Sequence, residues 1–249
     1  MPENVNKTKI MNIIDQKFSS PVIVGGFIGN TSLGVTTTSY IIQEFNLHEV
    51  AMIKSSSIPP VTVFVGGKMR SPFRIYSNKA GTLVIIQCEV PIDMSGLYDV
   101  TETLMEWVKA IKPKEFVVID GVPVRDLPEE RKAFLVASRE RIEELKSTKI
   151  ETAEAALITG VGGAILNESI FSKEKTIALI THVSTQFPDP NAVLAIVNAL
   201  NSIYNLKIET SLLEKSVKEI QQDIERVTDE YKHLKGNGEN GDDPNSMYR

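Results

Sequence analysis

Val22-Ile23-Val24-Gly25-Gly26-Phe27-Ile28 is an apolar run ending among glycines, and Gly34 to Phe45 follows with Tyr40, Ile41 and Phe45 on one side of a helix. This is a strand, a tight turn and a helix. Working outward, the spacing predicts strands at Val50 to Ile53, Val61 to Val65, Phe73 to Tyr76 and Leu83 to Cys88, with Gly66 and Gly67 forming a hairpin turn between the second and third. Leu97 to Ile111 sets Val100, Leu104, Trp107, Val108 and Ile111 at helical intervals, and Pro113 stops that helix before the strand Phe116 to Ile119. A strand at Ala133 to Ala137, a charged helix at Arg139 to Lys146, a strand at Ala155 to Thr159 and a helix opening at Gly162 to Glu168 are expected next. Ile177 to Ile180 and the helix Asn191 to Tyr204 close the pattern. Alternating strands and helices predict a three-layer α/β/α sandwich over residues 1–208, and the β-rich run from 50 to 88 makes its sheet mixed.

Composition narrows the class. The 249 residues are 42% hydrophobic and 24% charged, enough for a sizeable core. With 27 Lys+Arg against 32 Asp+Glu the formal charge is −5, so there is no overall basic field to attract nucleic acid or an anionic membrane. Cys88 is the single cysteine, which excludes an intrachain disulfide and fits a reducing cytoplasm. Met1 to Lys9 is polar, without the apolar core of a signal peptide, and runs such as Val22 to Ile28 are far too short to span a bilayer. A cytoplasmic protein is expected.

Two further segments depart from the α/β pattern. Over 209–235, apolar residues recur at Leu213, Val217, Ile220, Ile224, Val227, Tyr231 and Leu234, with gaps alternating between four and three, the stripe of a long helix. Such a stripe is either a coiled-coil seam for self-association or a face laid on the helix's own domain. The flanking Glu214, Ser216, Gln221, Asp223 and Thr228 lack the charge pairs that would decide between them. Over 236–249, the stretch Gly236 to Ser246 has no large apolar side chain and cannot repay its ordering entropy, so a flexible tail is expected, with apolar surface returning only at Met247 and Tyr248 before Arg249.

Candidate sites were weighed by their chemistry. Gly29 to Thr36 has the glycine spacing and final hydroxyl of a phosphate loop, yet Val35 stands where the lysine must be, so a tight turn is the better reading, with Thr31 or Ser32 capping the helix. Gly160-Val161-Gly162-Gly163 lacks the last glycine of a dinucleotide fingerprint, because Ile165 occupies it. There is no nucleophile elbow, and Cys88 inside an apolar strand reads as core. His48, His182 and His233 lie far apart without ligand spacing, and His182 reads as a hydrogen-bonded loop residue. Glu89, Asp93 and Asp120 follow strand ends, where α/β folds place ligand sites and also caps and turns. No catalytic set, metal site or cofactor site is assembled, and a protein that is not an enzyme is expected.

Taken in order, Val24-Gly25-Gly26-Phe27-Ile28-Gly29, Asp120-Gly121-Val122-Pro123, Ile158-Thr159-Gly160-Val161-Gly162-Gly163-Ala164-Ile165-Leu166 and Phe187-Pro188-Asp189-Pro190-Asn191-Ala192 resemble the motifs of the proteasome assembly chaperone family, in its archaeal and bacterial branch related to the second eukaryotic chaperone subunit. The resemblance spans about Val22 to Leu234 and leaves the middle of Arg125 to Glu151 unaligned. It implies a phosphorylase-like sandwich and a homo-oligomer, from trimer to pentamer. Met247-Tyr248-Arg249 looks like the hydrophobic-Tyr-any ending with which proteasome activators and assembly chaperones enter pockets of the 20S α-ring. The expected function is therefore a non-catalytic chaperone or activator of the proteasome. The alternative is an enzyme acting on a nucleoside-type ligand in the sheet-end crevice near Gly29, Asp120 and Gly160.

Overall fold

In the computed structural model of the chain the described residues are 8–29, 31–65, 67–184, 189–217, 219, 220, 222 and 225. The opening unit is β2 (Val22–Phe27) followed by α1 (Leu33–Glu44), preceded by a short strand β1 (Lys9–Asn12) that the polar N-terminal sequence did not announce. Next come β3 (His48–Lys54), β4 (Val63–Val65), β5 (Lys68–Arg70), β6 (Phe73–Ser77) and β7 (Leu83–Cys88). Helix α2 (Leu97–Ile111), β8 (Glu115–Pro123), β9 (Phe134–Val136), α3 (Arg139–Leu145), β10 (Glu151–Thr152), α4 (Gly160–Ser172), β11 (Thr176–Val183) and α5 (Pro190–Tyr204) complete the core, and a last helix begins at 213.

Nine strands form one mixed sheet in the order β1-β3-β6-β7-β2-β8-β11-β9-β10. Its centre, β7-β2-β8-β11, is parallel, and those strands are almost wholly buried, as strands covered on both faces must be. Alternation along them sorts the core into two sides. Val22, Val24, Val117, Ile119, Ile177 and Leu179 pack under α1, α5 and the last helix. Ile23, Val84, Ile86, Phe116, Val118 and Ile180 pack under α2 and α4. The three-layer α/β/α architecture with a mixed sheet is thus the observed one.

Two strand expectations change. Ala155 to Thr159 is not a strand: it connects β10 to α4 with Leu157 82% exposed, because the sheet edge already ends at the two residues of β10. The run Val61 to Val65 yields only β4, which pairs antiparallel with β5 as a separate two-stranded hairpin outside the main sheet.

The glycines of the opening unit explain how α1 sits. A Cβ on Gly26 would run into the carbonyl oxygen of Gly34 and the hydroxyl of Thr38, and one on Gly34 would come to 2.7 Å from the Ile119 carbonyl oxygen. Helix and sheet therefore touch backbone to backbone. Gly29, by contrast, has open space where its Cβ would lie. Gly26→Ala is expected to cost about 1–3 kcal/mol or more, since the obstructing atoms are main chain and cannot rotate away, whereas Gly29→Ala changes stability little. Urea unfolding of the two variants against the parent checks this.

Candidate functional site

At the carboxyl end of the central strands, Thr31 lies against Gly121 on β8, while Gly162 near the start of α4 lies against Val118 of the same strand. Thr31 Oγ1 accepts from the Leu33 N–H at 3.4 Å in the turn before α1, while the N-cap position is Ser32. Val35, at the place of a phosphate-loop lysine, is fully buried. Gly160 opens α4 at φ +65°, and a Cβ on Gly162 would meet the Val118 side chain at 2.9 Å, so this second glycine cluster serves close packing of α4 on β8.

Asp120, at this end, is a carboxyl whose burial changes its chemistry. Its Oδ1 accepts from the Gly121 N–H at 2.8 Å and its carboxyl is also bonded to Thr31. Burial outweighs both bonds and raises its pKa from 3.8 to about 6. His182 lies on the neighbouring strand, two positions beyond the partner of Asp120 and on the same face. It stands within β11 and not in a loop, its ring centred 5.3 Å from that of Phe134, because β11 runs three residues past the apolar run Ile177 to Ile180.

The other candidates are structural. Cys88 is completely buried, its thiol pushed up to about 12 by burial, and Sγ lies 3.2 Å from the Val90 carbonyl oxygen. Glu89 pairs at 2.7 Å with Arg74, which is only 2% exposed, and Asp93 stands at the entry to the single turn Met94–Gly96. His48 meets the Gln16 side chain at 3.1 Å, and His233 lies outside the described residues. Among the described residues there is no group of three or more His, Cys, Asp or Glu side chains placed to hold a metal ion, and no helix long and apolar enough to cross a membrane.

One charged cluster was not legible in the sequence. Glu115, 2% exposed at the start of β8, receives two hydrogen bonds of 2.7 Å from Arg141 on α3 and one from the Tyr204 hydroxyl on α5. Arg141 also reaches Glu144 at 2.8 Å, and burial with the adjacent Glu115 charge holds the Tyr204 phenol protonated. An acid directly before an apolar strand is the only signal, and it names neither partner. Similarly, Asp189 caps α5 by accepting from Ala192 N–H at 3.1 Å and pairs with Arg131 at 2.7 Å, which ties the unaligned charged stretch to the proline-opened helix.

The helical stripe is divided. Leu213, Val217 and Ile220 are 3%, 0% and 4% exposed within the core shared by α1 and α5. Tyr40 on α1 donates to the Glu209 carbonyl at 2.6 Å, and Asn201 on α5 brackets Ile208 with two hydrogen bonds of 2.8 and 2.9 Å, so the chain enters this helix already anchored. Ile224, Val227 and Tyr231 lie outside the described residues, as do Met247, Tyr248 and Arg249.

The raised pKa of Asp120 has a measurable sign. Between about pH 4 and pH 6 the folded protein holds a proton that the unfolded chain has released, so this group's contribution to stability is full below 4 and is lost as pH rises through 6. Asp120→Asn, which keeps an acceptor for Gly121, is expected to be more stable than the parent above pH 6 by on the order of 1–3 kcal/mol. That gap closes toward pH 4, as unfolding curves across this range will read.

Comparison with known proteins places this arrangement. An uncharacterized protein of Methanocaldococcus jannaschii is 23% identical over 231 residues, covering 93% of this chain and 94% of its own. A Thermoplasma acidophilum protein of unknown function superposes with a TM-score of 0.84 at 42% identity, over 89% of this chain and 91% of that one. Pyrococcus furiosus PbaA, an archaeal homolog of proteasome-assembly chaperone, matches with a TM-score of 0.79 at 18% identity, over 92% of this chain and 99% of its own. PbaB of the same organism, an archaeal proteasome activator, matches with a TM-score of 0.75 at 19% identity, over 90% and 99%. The PAC2 family model matches residues 23–228, and the chain belongs to the PAC2 family.

Proposed function

We propose that this protein is a non-catalytic assembly chaperone or activator of the proteasome, acting as a homo-oligomer of three to five subunits that docks on the 20S α-ring through its C-terminal tails. The observation that carries this reading is the PAC2 match over 23–228 on a fold shared, along nearly its whole length, with PbaA and PbaB. The expected docking element is Met247-Tyr248-Arg249. Its chemistry suits a short anchor: the tyrosine supplies a ring and a hydroxyl, and the methionine fills an apolar niche. The twelve residues from Lys235 to Ser246, if flexible, span roughly 20 Å, so several tails on one oligomer reach a ring of repeated pockets together. A cytoplasmic location follows from this partner.

The second reading is an enzyme of phosphorylase-like fold with a nucleoside-type ligand at Gly29, Asp120 and Gly160. It is favoured by one observation, the carboxyl of Asp120 held near pH 6 at a strand end.

Self-association through the last helix falls to Ile224, Val227 and Tyr231, because the stripe before them is occupied by the protein's own core. Ile220→Asp is therefore expected to lower the melting temperature sharply by burying an unpaired charge, while Ile224→Asp shifts the oligomer to smaller species in light scattering without unfolding it. Tyr248→Ala tests the tail. It leaves the melting temperature unchanged and weakens capture by the cognate 20S proteasome by about 2 kcal/mol per tail, roughly thirtyfold. Undiminished capture removes the tail from the reading, and phosphate-dependent nucleoside turnover that disappears in Asp120→Asn supports the enzyme instead.

A further inference from the structure

Among the described residues, two groups of exposed large apolar side chains lie on opposite flanks of the sheet, apart from the single Leu157 and Leu212. On the β1 flank, the hairpin β4–β5 stands outside the sheet with Val63 turned inward at 2% exposure, while Phe64 and Met69, directly opposite one another, are 66% and 75% exposed. A free two-stranded hairpin is marginal in water, and this one presents its largest apolar pair outward. Its root is fixed to the start of α2: Ser57 packs where a Cβ of Gly96 would be, and Thr8 bonds both Ser55, at 2.8 Å, and Asp99. There Met94 and Tyr98, one helical turn apart, are 78% and 70% exposed.

On the β9–β10 flank, α4 carries a single charged residue, Glu168, with Asn167, Ser169 and Ser172 as its other polar side chains. Val161 and Ile165 enter the core, while Ile170 and Phe171 are 73% and 75% exposed. Two large apolar side chains exposed side by side are the kind of surface that a partner covers. Beside it, between α3 and α4, lies a cleft of about 660 Å³ whose apolar lining is Val136, Ala137, Leu166 and Ile170.

The two flanks are complementary in shape, charge and extent. One projects and the other is hollow, and a cavity of about 150 Å³ already holds one benzene ring, so the cleft takes both Phe64 and Met69. The hairpin sequence 63–70 holds Lys68 and Arg70 and no acid, whereas the cleft is lined by four carboxylates and three cations, an excess of one negative charge. The exposed side chains at Phe64, Met69, Met94 and Tyr98, with Met11, Ile13 and Ile14 along β1, amount to on the order of 800 Å², the share one partner contributes to an interface of standard size.

We infer that the occupant of the α3–α4 cleft is the β4–β5 hairpin of a second copy of this chain, so that subunits associate head to tail. The inference rests on the homo-oligomer reading and adds a second contact to the one proposed for the last helix. A head-to-tail contact uses two different patches and generates a ring when its rotation closes, which a symmetric pairing of like patches does not.

Chains with one added cysteine, Met69→Cys or Ile170→Cys, treated with a short bismaleimide, provide the test, since the native thiol Cys88 is buried. Mixing the two variants gives cross-linked dimers and neither alone does, and one chain carrying both gives a ladder of covalent oligomers. Phe64→Asp and Ile170→Asp, both at exposed positions, each move the species seen by light scattering toward monomer while circular dichroism stays that of the parent. If the parent is an oligomer but the mixture fails to cross-link, or either variant cross-links to itself, the head-to-tail assignment is overturned and the homo-oligomer stands. A monomeric parent overturns both. If Phe64→Asp keeps the oligomer and loses proteasome capture, the hairpin serves that partner and the inference fails.

Discussion

The backbone of α1 lies directly on the backbone of β2, Gly34 against Gly26, and the other helices take their places around that contact. No side chain separates the two elements at this point, so α1 sits closer to the sheet than ordinary helix packing allows. The Thr38 hydroxyl folds back onto the Gly34 and Val35 carbonyls at 2.9 and 3.1 Å and fills the space beside the glycines. Gln87 on β7 then donates to the Val35 carbonyl and the Ser39 hydroxyl, and accepts from Arg74 on β6 at 3.4 Å, so two more sheet strands are tied to the helix. With α1 fixed so low, Thr31, just before the helix, lies against Gly121 at the end of β8 and reaches Asp120.

Charge is handled differently at the two ends of the sheet. At the amino end, Glu115 is buried with a bidentate arginine and a tyrosine hydroxyl, a satisfied arrangement in which removal of any partner strands the carboxylate. It joins β8, α3 and α5, elements that share little other polar contact. At the carboxyl end, Asp120 has hydrogen bonds from Gly121 and Thr31, and its pKa rises for want of compensation. The same physics thus makes one end of the molecule a clamp and leaves the other chemically responsive.

For the proposed role this division is useful. A chaperone or activator needs a core whose shape is insensitive to its partner and peripheral elements that are free to engage. The core here buries its strands almost completely and anchors the entry to the last helix through Tyr40 and Asn201. The apolar surface left outside, on the hairpin, the start of α2 and the far half of α4, is concentrated at the flanks. Membership of the PAC2 family and the shared fold of PbaA and PbaB agree with such a scaffold.

The amino-acid sequence by itself determined the alternation of strands and helices, the burial of Cys88 and the cap at Asp189 with Pro190, because each depends on neighbours within a few residues: periodicity, apolar runs and helix-start chemistry are local. It also carried the ordered glycine and Pro-Asp-Pro motifs from which the family could be read. Only the tertiary structure decided the rest. Ala155 to Thr159 has strand-like composition, yet no neighbouring edge takes it up, and strand identity is a property of pairs. Lys9 to Asn12, too short to show a periodicity, becomes a strand because the β3 edge is open to it. The partners of Glu115 lie 26 and 89 residues away, and the first half of the heptad stripe turns out to face its own domain. A stripe states that a face must be covered, and the cover is chosen by whatever the fold brings within reach.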